Sequence, residues 1–349
     1  MVSTWRATRS KKLGATEVNG QPDRGIYLPS ESTSMIPGQV VVHPTTDAQW
    51  NEGTVARLQE WAADKQAVRA VLLTSNRAGP SASCDALSDF DVVLVVRDVH
   101  PFHADRDWTG DFGVVLVTYW DALYADQETG LEIFANVVQY DSGLRIDFTL
   151  WPVEKSLRVG QTSELPAGLD VGYSVLIDKD NLTTAFSAPS FTAFAQTRPS
   201  ATEFARFVEE FYSDAPAVAK FLMRGDLMPA KWVLDHDMKQ VYLRRLLEWQ
   251  IALDTDWNVQ FRSLGKGLQR RMSGDRWKQL EAGYAGSAIE DNWRALDATL
   301  AVFRDVGEDV ADSLGFVYPL ELHRRVCEFL GRYRREGESA LAGTTQPRG

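Results

Sequence analysis

The chain has 349 residues, 44% of them hydrophobic and 24% charged, which is ordinary globular composition with ample apolar content for a core. Its length exceeds the ~250–300 residues that one core usually serves, so two domains are expected. Lys and Arg total 37 against 48 Asp and Glu, a net charge of −11; that balance argues against general nucleic-acid binding and suits a cationic small molecule better, although alone it does no more than keep a protein soluble.

The two cysteines, Cys84 and Cys327, are far apart and offer neither zinc spacing nor a disulfide framework, which fits a reducing cytoplasm. No apolar run reaches the ~18–20 residues of a membrane span. Arg6, Arg9, Lys11 and Lys12 are followed by no apolar stretch, so the N-terminus does not read as a secretory signal. A cytoplasmic monomer without membrane or nucleic-acid partners is expected.

Residues 1–45 are polar and rich in Gly, Pro, Ser and Thr, and read as a flexible segment. Glu52 to Lys65 places Val55, Leu58, Trp61 and Ala62 on one helical face. Val68 to Thr74 is a buried-strand pattern, and Ser75 to Leu87 is a loop by composition. Asp89 to Val96 and Phe112 to Thr118 read as strands. Phe134 to Tyr140 and Leu144 to Trp151 form a hairpin around Asp141-Ser142-Gly143. Beyond about residue 195 the periodicity turns helical: Glu203 to Met223, Lys231 to Leu253, Asp275 to Tyr284, Ile289 to Leu314 and Leu320 to Tyr333. The fold class is α+β, with a mixed sheet and flanking helices over 46–195 and a helical domain over 196–335. The segment 336–349 reads as a disordered tail.

The chemistry concentrates in Ser75 to Val96. Strand side chains alternate faces, so Asp89 and Asp91 point one way and Phe90 and Val92 the other. Two carboxylates about 7 Å apart on one face repel unless a cation lies between them. Magnesium takes such hard oxygen ligands and shares them with substrate phosphates. Asp147, in Arg145-Ile146-Asp147-Phe148, shares its face with Arg145 and Thr149 in an otherwise apolar strand, where an acid is costly unless paired or metal-bound. Asp89, Asp91 and Asp147 are therefore the candidate metal ligands and catalytic residues. Asp147 is the candidate to activate an acceptor hydroxyl, with a metal as the alternative.

Four stretches resemble the aminoglycoside 6-adenylyltransferases, also called streptomycin adenylyltransferases. They are Val68 to Val71 running on to Arg77 and Pro80; Asp85 to Val96; Leu144 to Asp147; and Ala219 to Arg224, continuing to Ala230, Lys231 and Asp235. Further similarity lies at Gly265-Lys266 and Leu314 to Pro319. The resemblance spans roughly residues 50–335. It implies a nucleotidyltransferase fold at the N-terminus and a helical substrate-binding domain after it. It also implies ATP as co-substrate, Mg2+, and adenylation of a streptomycin-like drug, with Asp89, Asp91 and Asp147 as metal acids. The chain departs from the family in one place: the family's Gly-Ser before the loop arginine is Ser75-Asn76. Ser75 restores a hydroxyl one position early and Asn76 can donate through its amide, while glycine's backbone freedom is lost. An active enzyme with altered substrate preference is expected. Action on another small-molecule or protein acceptor, or a binding relative without turnover, is the alternative.

Ser75, Asn76, Arg77, Lys220, Arg224, Lys231 and Lys266 are the candidates for the nucleotide; Lys220 and Arg224, four apart, share a helix face. For a polycationic acceptor the candidates are Glu209, Glu210, Asp214, Asp235 and Asp237, with Trp232, Tyr212 or Trp257 as sugar platforms.

Overall fold

The computed structural model describes residues 47–78, 85, 87–257, 259, 261 and 263–344. The chain divides into two compact units at Ala193/Phe194. The expected flexible segment 1–45, Pro80 and Cys84 lie outside the described residues, as does the Asn76 side chain.

The first unit opens with helix α1 (Asp47–Asp64), strand β1 (Val68–Thr74), a 3-10 turn (Ser75–Arg77) and β2 (Phe90–Val96). After α2 (His100–Ala104) come β3 (Val115–Trp120), β4 (Tyr124–Ala125), β5 (Glu132–Tyr140) and β6 (Arg145–Pro152). Helices α3 (Val153–Val159) and α4 (Ala167–Asp170) lead to β7 (Tyr173–Asp178). The sheet order is β3-β5-β6-β2-β1-β7, with β4 pairing β5 off that path. All pairs are antiparallel except β2 with β6, which run parallel.

Every residue of β1 is buried, as a continuous apolar run flanked by strands on both sides requires. Its one charge, Arg69, is neutralised by Asp180, with Nε donating at 2.6 Å. Phe90, Val92, Leu94, Ile146, Phe148 and Leu150 pack on one sheet face with Leu58 and Trp61 of α1. Val93, Val95 and Trp151 pack on the other with Val159 and Leu169.

Two readings of the sequence shift here. The strand expected from Phe112 begins at Val115, because Asp107–Phe112 is a 3-10 turn that delivers Trp108 and Phe112 into the core without strand pairing. β7 was not expected, since it is an edge strand whose positions are all at least partly exposed, and that weakens its alternation.

The second unit is helical: α5 (Ala201–Met223), α6 (Leu227–Lys231), a π-wound stretch (Trp232–Leu243), α7 (Arg244–Asp254), α8 (Gly274–Glu281), α9 (Ile289–Leu314) and α10 (Leu320–Thr344). Ser200 and Glu203 form a capping box that starts α5. Gly315, at φ +71°, ends α9 in the left-handed conformation glycine tolerates. The expected tail is corrected in part: α10 runs on to Thr344, so residues 336–344 are helical although their composition reads as disorder. The core is aromatic, with Phe211 stacked on Phe303 at 3.5 Å between ring centroids.

Gly307 in α9 lies under the Tyr318 ring, and an added Cβ would come within 2.3 Å of it. Helix propensity alone favours Ala over Gly by about 1 kcal/mol. We nevertheless expect Gly307→Ala to destabilise the helical unit by about 1–3 kcal/mol through overpacking. Denaturant unfolding gives the sign, and a stabilised variant would refute this packing.

Candidate active site

β2 and β6 lie side by side in parallel, with Asp91 opposite Asp147, Phe90 opposite Ile146 and Val92 opposite Phe148. Because the apolar partners are committed to the α1 side, alternation turns both carboxylates to the other face. Asp89 directly precedes β2 and reaches the same place: its Oδ2 is 3.6 Å from Arg145 Nε. The structure thus brings together the three acids singled out in the sequence.

Their electrostatics are unequal. Burial, and then the neighbouring Asp147 charge, push the Asp91 carboxyl up to about 6; a hydrogen bond from the Ser75 hydroxyl pulls it back in part. Asp147 is held by a fork from Arg145, with Nε donating to Oδ1 at 2.9 Å and Nη2 to Oδ2 at 3.1 Å. Arg145 therefore bridges Asp147 and Asp89, while Asp91 is the under-compensated member. The sequence placed Arg145 on this face but assigned it no role; its spacing two residues before Asp147 on one strand was the available signal.

Three hard carboxylates against the single Arg145 guanidinium leave two negative charges in excess, the donor set a divalent cation takes. As the side chains stand, no group of three His, Cys, Asp or Glu among the described residues is gathered to hold a metal, and Arg145 supplies the positive charge within the cluster.

The loop before β2 is organised by its own polar groups. Asp85 Oδ1 accepts from the Leu87 N–H at 3.1 Å and from the Ser88 hydroxyl at 2.8 Å. The Arg77 guanidinium lies 3.8 Å from the centre of the Phe90 ring and donates to the carbonyls of Asp89 (3.0 Å), Asp85 (3.4 Å) and Ser88. Arg77, a candidate for the nucleotide, thus also fixes the backbone that presents Asp89. Ser75 adopts φ +65°, the left-handed region, with its N–H donating to Gly172 O at 3.2 Å. The strain that a family glycine would avoid therefore falls on Ser75.

The remaining candidates belong to the helical unit. Lys220, Arg224 and Lys266 are exposed. Lys231 is engaged structurally: its Nζ donates to Ala285 O at 2.8 Å and pairs with Asp235 Oδ2 at 2.8 Å. Asp235 also binds Lys239, so it is spent on lysines and does not present a free acidic wall. Tyr212 is buried, bonded to Tyr318 and His323, and cannot serve as a sugar platform. Trp257 is partly buried and packs against the core. Glu209 is exposed, whereas Glu210, Asp214 and Asp237 interact closely enough that burial, then Asp237 and Glu210, raise the Asp214 carboxyl to about 6. Beside them Trp232, 63% exposed, stacks on His236 at 4.7 Å.

The chain sets carboxylates abreast on neighbouring parallel strands of a mixed sheet, and its family match makes it an enzyme of the nucleotidyltransferase class. The family model for streptomycin adenylyltransferase matches residues 51–333, and the chain belongs to that family. A relative from Bacillus subtilis (strain 168) named aminoglycoside 6-adenylyltransferase is 25% identical over 264 residues, 74% of this chain and 89% of its own length. Relatives of the same name from Campylobacter jejuni (24% identity, 72% and 85% coverage) and Staphylococcus aureus (21%, 75% and 91%) also match. A crystal structure of an aminoglycoside 6-adenyltransferase from Bacillus subtilis matches 82% of this chain and 98% of its own at 21% identity, with a TM-score of 0.38.

Two outcomes follow from the cluster. The Asp91 pKa is raised on folding, so the folded state holds this proton more tightly; the group's penalty is absent below about pH 4 and complete above about pH 6. We expect Asp91→Asn to stabilise the protein by about 1–3 kcal/mol at pH 8 and by little at pH 4; unfolding curves at both pH values check this. At Ser75, Gly relieves the left-handed strain and Ala does not. Ser75→Gly should therefore be more stable than Ser75→Ala by about 1 kcal/mol, and equal stabilities would mean an unstrained backbone there.

Proposed function

We propose that the protein transfers AMP from ATP to a hydroxyl of an aminoglycoside, with streptomycin as the first candidate, and releases pyrophosphate. The observation that carries this reading is the parallel register of Asp91 against Asp147 with Asp89 at its edge. The relatives' names support the donor and acceptor class.

Asp89, Asp91 and Asp147 would hold the metal, for which Mg2+ fits the all-oxygen donor set. When bound, it would supply charge neutralisation for the triphosphate and for the departing pyrophosphate. Asp147 accepts the proton of the acceptor hydroxyl as that oxygen bonds to the α-phosphorus and the bond from phosphorus to the bridging oxygen breaks. Arg145 holds Asp147 oriented for this role. Arg77 fixes the loop that presents Asp89. Within the helical unit, Glu210, Asp214 and Asp237, with the exposed Trp232, form an acidic surface with an aromatic platform, a chemistry suited to ammonium groups and sugar rings.

Incubation with streptomycin, ATP and Mg2+ should add one AMP to the drug by mass spectrometry. Asp89→Asn should lower kcat by about 10²-fold or more with the fold retained. Wild-type turnover in that variant would refute the assignment of the acids. Because a cation must displace the Asp91 proton, the affinity for Mg2+ should rise with pH through about 6, which calorimetry at pH 5 and pH 8 would check.

A further inference from the structure

The helical unit contains a cavity of about 290 Å3 lined by residues between Lys239 and Tyr284, none of which belongs to the acid cluster described above. Its charged lining is entirely cationic: Lys239, Arg244 and Arg270, with no carboxylate among the described residues that line it. That is unexpected in a chain whose net charge is −11.

The local charges do not cancel. Lys231 and Lys239 share the single carboxylate of Asp235, at 2.8 and 2.5 Å. Arg244 is balanced by Glu248 at 2.5 Å, and its Nε donates to Gln240 O. One lysine charge and the Arg270 charge remain in excess, about what a phosphate carries near neutral pH. Lys239 is 2% exposed, so its charge acts at reduced dielectric. Glu281, which accepts from the Trp277 indole at 2.6 Å, is exposed and outside the lining.

The loop leaves room for the two arginine side chains. Gly265 and Gly267 have φ of +75° and +84°. A side chain at Gly265 would begin 3.0 Å from Arg244 Cδ, and one at Gly267 would begin 3.2 Å from Arg270 Nη2. The other wall is aromatic, formed by Trp277 and Tyr284. Leu247 and Leu280 supply apolar floor.

We propose that this cavity binds a phosphorylated aromatic ligand of nucleoside-monophosphate size, with its phosphate on Arg270 beside the uncancelled lysine charge at Lys239 and its ring against Trp277 and Tyr284. A volume near the lower end for small-molecule sites matches one such ligand, not a dinucleotide or an oligosaccharide. Guanidinium groups hold phosphate in a planar fork, and an aromatic face receives a base.

Calorimetry and tryptophan fluorescence of the full chain, titrated with AMP in the presence of EDTA, test this independently of turnover. We expect saturable binding that survives in Asp91→Asn, weakens at least tenfold in Arg270→Glu, and loses its fluorescence change in Trp277→Phe. Inorganic phosphate alone should bind more weakly than AMP and still depend on Arg270. Since Arg270 is exposed, Arg270→Glu should fold, as circular dichroism can verify. Affinity that is indifferent to Arg270, affinity lost in Asp91→Asn, or no saturable binding at millimolar AMP would each overturn the proposal. A failed transfer assay would leave this result standing, so the two readings can be told apart.

Discussion

The parallel pairing of β2 with β6 is the constraint on which the site depends. Phe90, Val92, Leu94, Ile146, Phe148 and Leu150 all belong to one face, and that face is buried. A slip of one residue would turn the acids into this aromatic core and the aromatics out of it. Hydrophobic burial therefore holds Asp91 beside Asp147 although the two repel. Side chains on neighbouring strands lie close enough for that repulsion to act strongly once water is partly excluded. The sheet stores an electrostatic cost, and Arg145 offsets the share that falls on Asp147 and Asp89.

Much of this was legible because strands encode faces. The period of two assigned Asp89, Asp91 and Asp147 to one side, and the apolar residues between them fixed the other. The paired β5–β6 hairpin followed from Asp141-Ser142-Gly143, where Gly143 takes φ +89°. What stayed hidden was the choice of partner. Nothing local says that Arg77 spends its donors on loop carbonyls, or that Arg145 turns back to Asp147. Edge strand β7 and the turn at Asp107–Phe112 escaped for the related reason that their residues answer to tertiary neighbours more than to their own period.

Net charge gave the weakest guidance. It suited a cationic small molecule, yet Asp235 is locked between Lys231 and Lys239, and the cavity in the helical unit is cationic. Charge works through local excess at a given dielectric, and a whole-chain sum averages that away. The same chain gathers carboxylates at β2 and β6, where Asp91 is left under-compensated, and cations around Lys239, where Asp235 cannot satisfy both lysines.

Ser75 shows how the scaffold and the chemistry compete for one residue. It closes β1, takes a left-handed backbone that costs a non-glycine residue roughly 1–2 kcal/mol, and uses its hydroxyl on Asp91. A glycine would remove the strain and the hydrogen bond together. The bond favours the ionised form of Asp91, the form a cation site requires, against the burial that favours the proton. The departure from the family's Gly-Ser pair therefore replaces backbone freedom with a second means of keeping the central carboxylate charged, and it does so at the position where β1, the Gly172 carbonyl and the acid cluster meet.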